Sequence, residues 1–248
     1  MNNFFIILVN PQLGQNIGSV ARAMKNFNFT NLRIVNPRDG WPNPDSISTS
    51  AGADDVLKKT KIFSSVSEAS KDLNYLFASS ARRRDLNVKS LDLINTITFL
   101  NRNKFSNKNF KFGILFGCES SGLSNEDLIN ANQLIYIPSN DSFSSLNLSH
   151  AVTIICWEFF KYFCQNRKNN NFIESEIERP LLKDMDYFYE SLAQNLENSG
   201  FFHSNFAKNS IMKNIKVLFN RSDLSSQEIK TLNGVIKSLY DYNNRAWH

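Results

Sequence analysis

Along the first two thirds of the chain, short apolar runs alternate with stretches whose apolar residues recur at helical spacing. Runs at 4–10, 32–35, 61–63, 75–78, 112–116 and 134–137 predict strands. Most are continuously apolar, as strands buried on both faces must be. Between the first two, Ile17, Val20, Met24 and Phe27 recur at i, i+3, i+7 and i+10, which puts one apolar stripe on a helix. Ser65 with Glu68 forms an S-x-x-E capping box that opens the next crossover helix, and residues 90–101 supply another. Strand and helix in alternation predict an α/β domain with a mostly parallel sheet covered on both faces, spanning residues 1–165.

The pattern changes at QNRKNNNFIESEIERP, a polar, Asn-rich stretch closed by Pro180; residues 166–180 read as a linker. Residues 181–248 read as a small all-α extension. Met185, Phe188, Leu192 and Leu196 repeat at helical spacing up to Gly200, a C′ stop. Ile211, Ile215, Leu218 and Phe219 mark a middle helix. The Ser225/Glu228 capping box opens a third, with Ile229, Leu232, Ile236, Leu239 and Tyr240 on one face. A unit this short calls for a partner surface, such as a second copy of the chain.

The chain has 248 residues, 42% of them hydrophobic, enough for a sizeable core. Lys and Arg exceed Asp and Glu by 28 to 23, a net +5 that suits a polyanionic partner such as nucleic acid. Cys118, Cys156 and Cys164 form no C-x-x-C pair and read as reduced thiols. The three histidines are scattered, so no metal site is expected. The run at 4–9 has no basic residue before it and falls far short of the roughly 20 residues of a membrane span. The reading is a soluble, cytoplasmic protein without a membrane partner.

Three loops follow predicted strands at their carboxyl ends, where open α/β sheets place ligands. The first, Asn10 to Arg22, carries Gly14 and Gly18, either for a tight turn or for close approach to a ligand. The second, Gly113 to Leu123, runs a buried strand into Gly117 and Gly122, which bracket Glu119. That carboxylate could pair with Arg22, hold a ligand amine, or cap the helix predicted at 124–131. The third, Ile137 to Ser149, is rich in hydroxyls that either cap the following helix or cradle a polar ligand.

Together N16-I-G-S-V-A-R22-A-M, F116-G-C-E119-S-S-G-L123 and I137-P-(x6)-S145-L-N147-L-S resemble, in order and spacing, the three motifs of the SPOUT superfamily (TrmH-like) of RNA 2′-O-methyltransferases. The likeness is greatest to the bacterial branch that modifies nucleotide 32 of the tRNA anticodon loop, and it covers nearly the whole chain. It takes in the S79-S-A-R82 loop, L218-F-N-R221 and L232-N-G-V-I236. The resemblance implies a deep trefoil knot in the C-terminal part of the α/β domain, a homodimer, and S-adenosylmethionine held in the knot. It implies that Ser79, Ser80, Ala81, Gly117, Ile137, Ser144, Ser145 and Leu146 contact the cofactor. It implies that Asn16, Arg22, Glu119, Ser145 and Asn147 form the catalytic and substrate-facing set. Arg82, Arg83 and Arg84, near the expected cofactor mouth, read as tRNA phosphate contacts together with Arg22, or else as solvated surface, as does a second basic stretch of Arg102, Lys104, Lys108 and Lys111. Cys118 stands where relatives often carry Arg.

Methyl transfer to a ribose 2′-hydroxyl is an in-line displacement that depends on positioning and desolvation, with help for a weakly acidic hydroxyl. A guanidinium resists deprotonation, so the expected role of Arg22 is to stabilise the developing alkoxide and grip a phosphate, held in place by Asn16 and Glu119. Competing readings are the same chemistry on another tRNA position or on rRNA, a non-catalytic RNA-binding protein on this fold, and a nicotinamide oxidoreductase. The last requires a G-x-G-x-x-G and a downstream acid, and neither stands where required.

Overall fold

In the computed structural model, which describes residues 3–80, 90–102, 110–168 and 178–245, the strands are β1 (Phe4–Val9), β2 (Leu32–Val35), β3 (Lys61–Phe63), β4 (Tyr75–Ser79), β5 (Ser90–Asp92), β6 (Phe112–Phe116) and β7 (Gln133–Tyr136). They form one sheet in the order β3-β2-β1-β6-β4-β7-β5, and each pairing is parallel. All carboxyl ends therefore open on one edge. The helices of this part are α1 (Gly14–Asn26), α2 (Pro44–Thr49), α3 (Asp54–Lys59), α4 (Val66–Ser70), α5 (Leu93–Arg102), α6 (Asn125–Ile129) and α7 (Leu148–Lys168).

The continuous apolar runs are explained by two cores, one on each face of the sheet. Successive side chains of a strand point to opposite faces. Phe4, Ile6 and Leu8 of β1 meet Val20 and Met24 of α1 and Val152, Ile155 and Phe159 of α7. Ile7 and Val9 join Val66, Ala69, Leu123 and Leu128 on the other face. Phe4 stacks on Phe159 and meets Phe29 edge-on, both at 4.8 Å between ring centroids.

Three short elements depart from the predicted pattern. Residues 90–101 are not one helix: 90–92 form edge strand β5 before α5 begins. Three residues of mixed character carry no period, so only pairing with β7 makes them a strand. Helices α2 and α3 were not predicted either. The first did carry a signal, because Asn43 caps it by accepting from the amides of Asp45 (2.9 Å) and Ser46 (3.3 Å), with Pro44 in the first turn. Helix α7 continues to Lys168, into the segment read as linker, and residues 169–177 lie outside the described residues.

Arg33 of β2 is a polar pin in the second face. Its buried guanidinium donates to both Asp72 oxygens and to the Ala69 carbonyl and lies 4.1 Å from the Phe5 ring centroid. Burial raises the Asp72 carboxyl pKa, but the hydrogen bonds and charge of Arg33 outweigh it and hold the group below its ordinary value. A carboxyl depressed in the folded state contributes stability above its unfolded pKa of about 3.9, and that contribution is lost as pH falls. Asp72→Asn is therefore expected to lower stability at pH 7 by about 1 kcal/mol, since the carboxylate is half exposed. It should also flatten the fall in stability below pH 4, measured by urea unfolding at stepped pH.

The remaining helices are α8 (Leu182–Asn198), α9 (Asn205–Asn220) and α10 (Ser226–Arg245). Met185, Phe188, Tyr189 and Ile229 form their shared core, with Leu192, Met212, Ile215, Phe219, Leu232 and Ile236 around it. Gly200 has φ +72° and closes α8 as predicted. The partner surface called for by so short a unit is in part the α/β portion itself. Leu182 enters the second core and its amide bonds the Leu73 carbonyl. Buried Asn220 accepts from the Tyr189 hydroxyl (2.8 Å) and donates to the Ile129 carbonyl (2.8 Å) at the end of α6. Leu239 does not join the buried stripe: it is 63% exposed. Tyr240 stays at the surface beside it.

Candidate active site

The loops after β1, β4, β6 and β7 converge on the carboxyl edge of the sheet. The order places β6 between β1 and β4, where the winding direction of the sheet changes, and such a switch point leaves a crevice. A cavity of about 310 Å³ opens there, at the lower end of the range for small-molecule sites. Ser79 and Ser80 from the end of β4, Gly117 after β6, and Ile137, Ser144, Ser145 and Leu146 after β7 line it; all belong to the set that the sequence resemblance assigns to a cofactor. Ala81, the remaining member, lies outside the described residues, as do Arg82, Arg83 and Arg84.

Gly117 is required by its surroundings. The chain turns back after it, with the Gly122 amide bonded to the Cys118 carbonyl at 2.9 Å, so that the backbone of Gly122 and Leu123 crosses directly over Gly117. A Cβ at 117 would overlap that backbone. Gly122 itself has φ +71°, a conformation that costs other residues energy. The turn presents Glu119 away from its own helix. Ser124 and Asp127 close that helix, α6, with a reciprocal capping box.

Among the described residues Glu119 neither pairs with Arg22 nor caps α6, two of the roles open to it from sequence. It caps the approach to α1, more than a hundred residues away in the chain. One carboxylate oxygen accepts from the Gln12 amide (2.8 Å); the other accepts from the Leu13 amide (3.2 Å) and the Asn16 side chain (2.8 Å). Backbone donors at a helix start favour an anion by both hydrogen bonding and dipole. Asn16, nearly buried, passes the chain on: its carbonyl oxygen accepts from Asn147 at 3.1 Å. Asn147 in turn accepts from the amide (2.9 Å) and hydroxyl (2.7 Å) of Ser149 at the start of α7. One relay of hydrogen bonds thus ties the three motif loops together.

Gly14 and Gly18 lie inside α1, not in a phosphate-cradling loop. Asn43 presses against the first, and Ser46 and Thr49 of α2 against the second, so that neither position has room for a side chain. The Thr49 hydroxyl donates to the Gln15 carbonyl at 3.1 Å across this contact. These glycines serve helix packing, which sequence left open.

Arg22 departs from its expected setting. It is exposed on α1, does not line the cavity, and among the described residues forms no hydrogen bond or ion pair. Asn16 and Glu119 bond each other and the 12–13 backbone, so they do not orient it. Arg22 lies six positions after Asn16, about 240° around the helix, which turns them to different faces. Ser145 lines the cavity, is exposed, and its hydroxyl bonds no described residue, which leaves it available to a ligand.

Two features at the rim were not read from sequence. Phe143, 80% exposed, stands in the cavity wall, and the pattern of its loop gave no reason to place it there. Gln12 donates from its side chain to Ser120 at 3.0 Å and reinforces the Glu119 clasp. The Cys118 thiol also faces the cavity. Burial raises its pKa, but hydrogen bonds from the side chains and backbone of Ser121 and Ser120 more than offset this and hold it below the ordinary thiol value. Among the described residues no group of three His, Cys, Asp or Glu could hold a metal ion, and no helix is long and apolar enough to cross a membrane.

Known proteins match this arrangement over both parts of the chain. The SpoU rRNA Methylase family matches residues 3–157, and the C-terminal domain of the tRNA methyltransferase TrmJ matches residues 183–246. The tRNA (cytidine/uridine-2′-O-)-methyltransferase TrmJ of Yersinia pestis (strain Pestoides F) is 34% identical over 96% of this chain and 92% of its own. That of Escherichia coli (strain K12) is 33% identical over 98% and 97%. The crystal structure of TrmJ from Z. mobilis ZM4 superposes with a TM-score of 0.81 at 34% identity, covering 94% of this chain and 97% of that one. Family matches over both parts of the chain, with 33–34% identity and structural agreement over nearly its full length, show that the chain belongs to the SpoU methylase family, in its TrmJ branch.

Proposed function

We propose that the protein transfers a methyl group from S-adenosylmethionine to a ribose 2′-hydroxyl of tRNA, at nucleotide 32 of the anticodon loop. The observation that carries this reading is the relay from Ser149 through Asn147 and Asn16 to Glu119, which gathers the three motif loops at the rim of one cavity. The donors and walls of that cavity fit the cofactor. Phe116, Leu123, Ile137 and Leu146 offer apolar surface for a purine, and Ser79, Ser80, Ser144 and Ser145 offer hydroxyls for a ribose and an amino-acid end. Gly117 lets a ligand lie against bare backbone. Ala81 completes this set by resemblance.

When bound, S-adenosylmethionine supplies a methyl group activated on a sulfonium. The residues of the chain do the rest by positioning. Asn147, fixed by Ser149 and Asn16, and Ser145, with its unengaged hydroxyl, orient the acceptor ribose. Glu119 is a positioning residue, since its oxygens are occupied by the 12–13 backbone and Asn16. Arg22 supplies a positive charge for the developing alkoxide and a neighbouring phosphate. Its exposure outside the cavity of its own chain supports a homodimer in which the active site is completed by a second copy. Leu13 and Trp157, 44% and 46% exposed beside α1 and in α7, support the same assembly by offering apolar surface there. Arg82, Arg83 and Arg84, after the cavity strand β4, are read as tRNA phosphate contacts.

The winding of the sheet supports a trefoil knot. The chain returns from edge strand β5 to the centre at β6, then passes outside β4 to form β7, and α7 comes back over α1 and α5. We take residues 1–165 as the catalytic domain, extended in α7 to Lys168, and residues 181–248 as the extension that directs the enzyme to the anticodon loop. A cytoplasmic site of action follows from the substrate. The test is to incubate the purified protein with S-adenosylmethionine and unmodified tRNA transcripts and to map 2′-O-methyl groups by mass spectrometry of nuclease fragments. A methyl on ribose 32 is expected. Methylation confined to another tRNA position would move the specificity, and absence of any transfer would overturn the reading.

A further inference from the structure

The loop between β2 and α2 belongs to the same edge of the sheet as the cavity, yet nothing above assigns it a role. Its neighbour is the loop between β1 and α1, and the two are stitched together. The Arg38 amide donates to the Pro11 carbonyl at 3.1 Å, immediately before the Gln12 and Leu13 amides that hold Glu119. Both loops are pinned at their bases. Asn10 and Asn36 take positive φ values of 50° and 45°; the Asn10 amide bonds the Val35 carbonyl (2.9 Å) and the Asn36 amide bonds the Phe63 carbonyl (3.1 Å). The Asn36 side chain adds a bond to the Ser64 carbonyl at 3.0 Å. Arg38 is thus an outward cation on a rooted stem at the edge of the relay.

Its side chain is 55% exposed, and its partner among the described residues is the adjacent Asp39, through Nε (2.7 Å) and Nη2 (3.0 Å). An exposed pair of this kind holds little energy, so a phosphate can take the place of the carboxylate. The Asp39 hydrogen bond raises the Arg38 pKa above its ordinary value, with a smaller contribution from the charge of Glu119. A planar guanidinium fork matches a phosphodiester as it matches a carboxylate.

We propose that Arg38 is a substrate-binding residue that grips a backbone phosphate of the RNA beside the acceptor ribose, with Asp39 as the competitor it leaves on binding. The proposal rests on the reading of the site as an RNA methyltransferase. The same fork could instead hold the carboxylate of the cofactor, and the experiment separates the two sources.

Full-length wild type, Arg38→Ala, Arg38→Lys and Asp39→Asn are compared for tRNA binding at several salt concentrations, for methyl-transfer kinetics, and for S-adenosylmethionine binding by calorimetry. Arg38→Ala is expected to raise the Kd and KM for tRNA about 5- to 10-fold and to reduce the salt slope of binding by about 0.7 to 0.9, one phosphate contact. The cofactor Kd and kcat should stay within about twofold of wild type. Arg38→Lys should recover part of the affinity, because a point charge still attracts phosphate. Asp39→Asn should tighten tRNA binding about two- to threefold by releasing the guanidinium. If wild type methylates tRNA while Arg38→Ala binds it with unchanged affinity and salt slope, this proposal alone falls. A cofactor Kd that rises with tRNA affinity unchanged assigns the fork to the cofactor and also overturns it. A wild type that neither binds nor methylates tRNA overturns the function proposed above together with this inference.

Discussion

Gly117→Ala is expected to weaken S-adenosylmethionine binding by about 100-fold or more while leaving the bulk of the fold in place. The position lies under the backbone of Gly122 and Leu123, and backbone cannot swing aside as a flexible side chain can. A single methyl group there has to open the Cys118–Gly122 turn. Overpacking a closed site costs about 1–3 kcal/mol, and about 2.7 kcal/mol corresponds to a hundredfold in affinity. The displaced turn forms one wall of the cavity and carries Glu119, so the loss should fall on the cofactor. Calorimetry with S-adenosylmethionine and its demethylated product, alongside far-ultraviolet circular dichroism, checks this. A variant with a native spectrum and wild-type affinity would show that the crossing at 117 does not shape the site.

A comparable loss is expected for Glu119→Gln, for a different reason. The carboxylate receives donors at both oxygens: the Gln12 amide at one, the Leu13 amide and Asn16 at the other. An amide of the same shape must turn an NH2 group toward at least one of those donors. Leaving a hydrogen-bonding group unmatched costs about 1–3 kcal/mol, more where a charge has been lost. Asn16 would no longer be fixed, and Asn147 is held through Asn16. We expect kcat/KM for tRNA methylation to fall about 100-fold, near 2.7 kcal/mol of transition-state stabilisation. The decrease should appear mainly in kcat, with the cofactor Kd changed severalfold at most, because the cavity wall at Gly117 and Ile137 is untouched. Steady-state kinetics with varied tRNA at saturating cofactor provide the check. Activity within twofold of wild type would mean that the relay is not needed for turnover.

These two expectations show where reading from residues succeeds and where it stops. Gly117, Glu119 and the three motif loops stand out in the sequence because buried strands run into them. Their place along the chain is readable; how they meet is not. Glu119 reads as a partner for Arg22, a ligand contact or a cap for α6, and the structure adds a role outside these, capping a helix start 106 residues earlier in the chain. Arg22 was expected within reach of Asn16, yet the turn of α1 sends it to another face. Gly14 and Gly18 read as a tight turn or as a ligand loop, and only the approach of Asn43, Ser46 and Thr49 shows that they serve packing.

Local pattern was sufficient for most of the scaffold. A continuous apolar run such as Phe4–Val9 marks a strand buried on both faces, and the stripe of Ile17, Val20 and Met24 marks a helix lying on a core. The Ser124 cap and the Gly200 stop depend on residues within a turn or two of each other. Such features are set by backbone sterics and side-chain period, which act over a few residues and therefore belong to the sequence by itself. Strand order, the seat of the extension on α6 through Asn220, and the relay from Ser149 to Glu119 join residues up to 131 positions apart. Only tertiary structure decided these, because a hydrogen bond or a close packing contact depends on where folding brings its partners, and no periodicity within either partner's segment records the distance to the other.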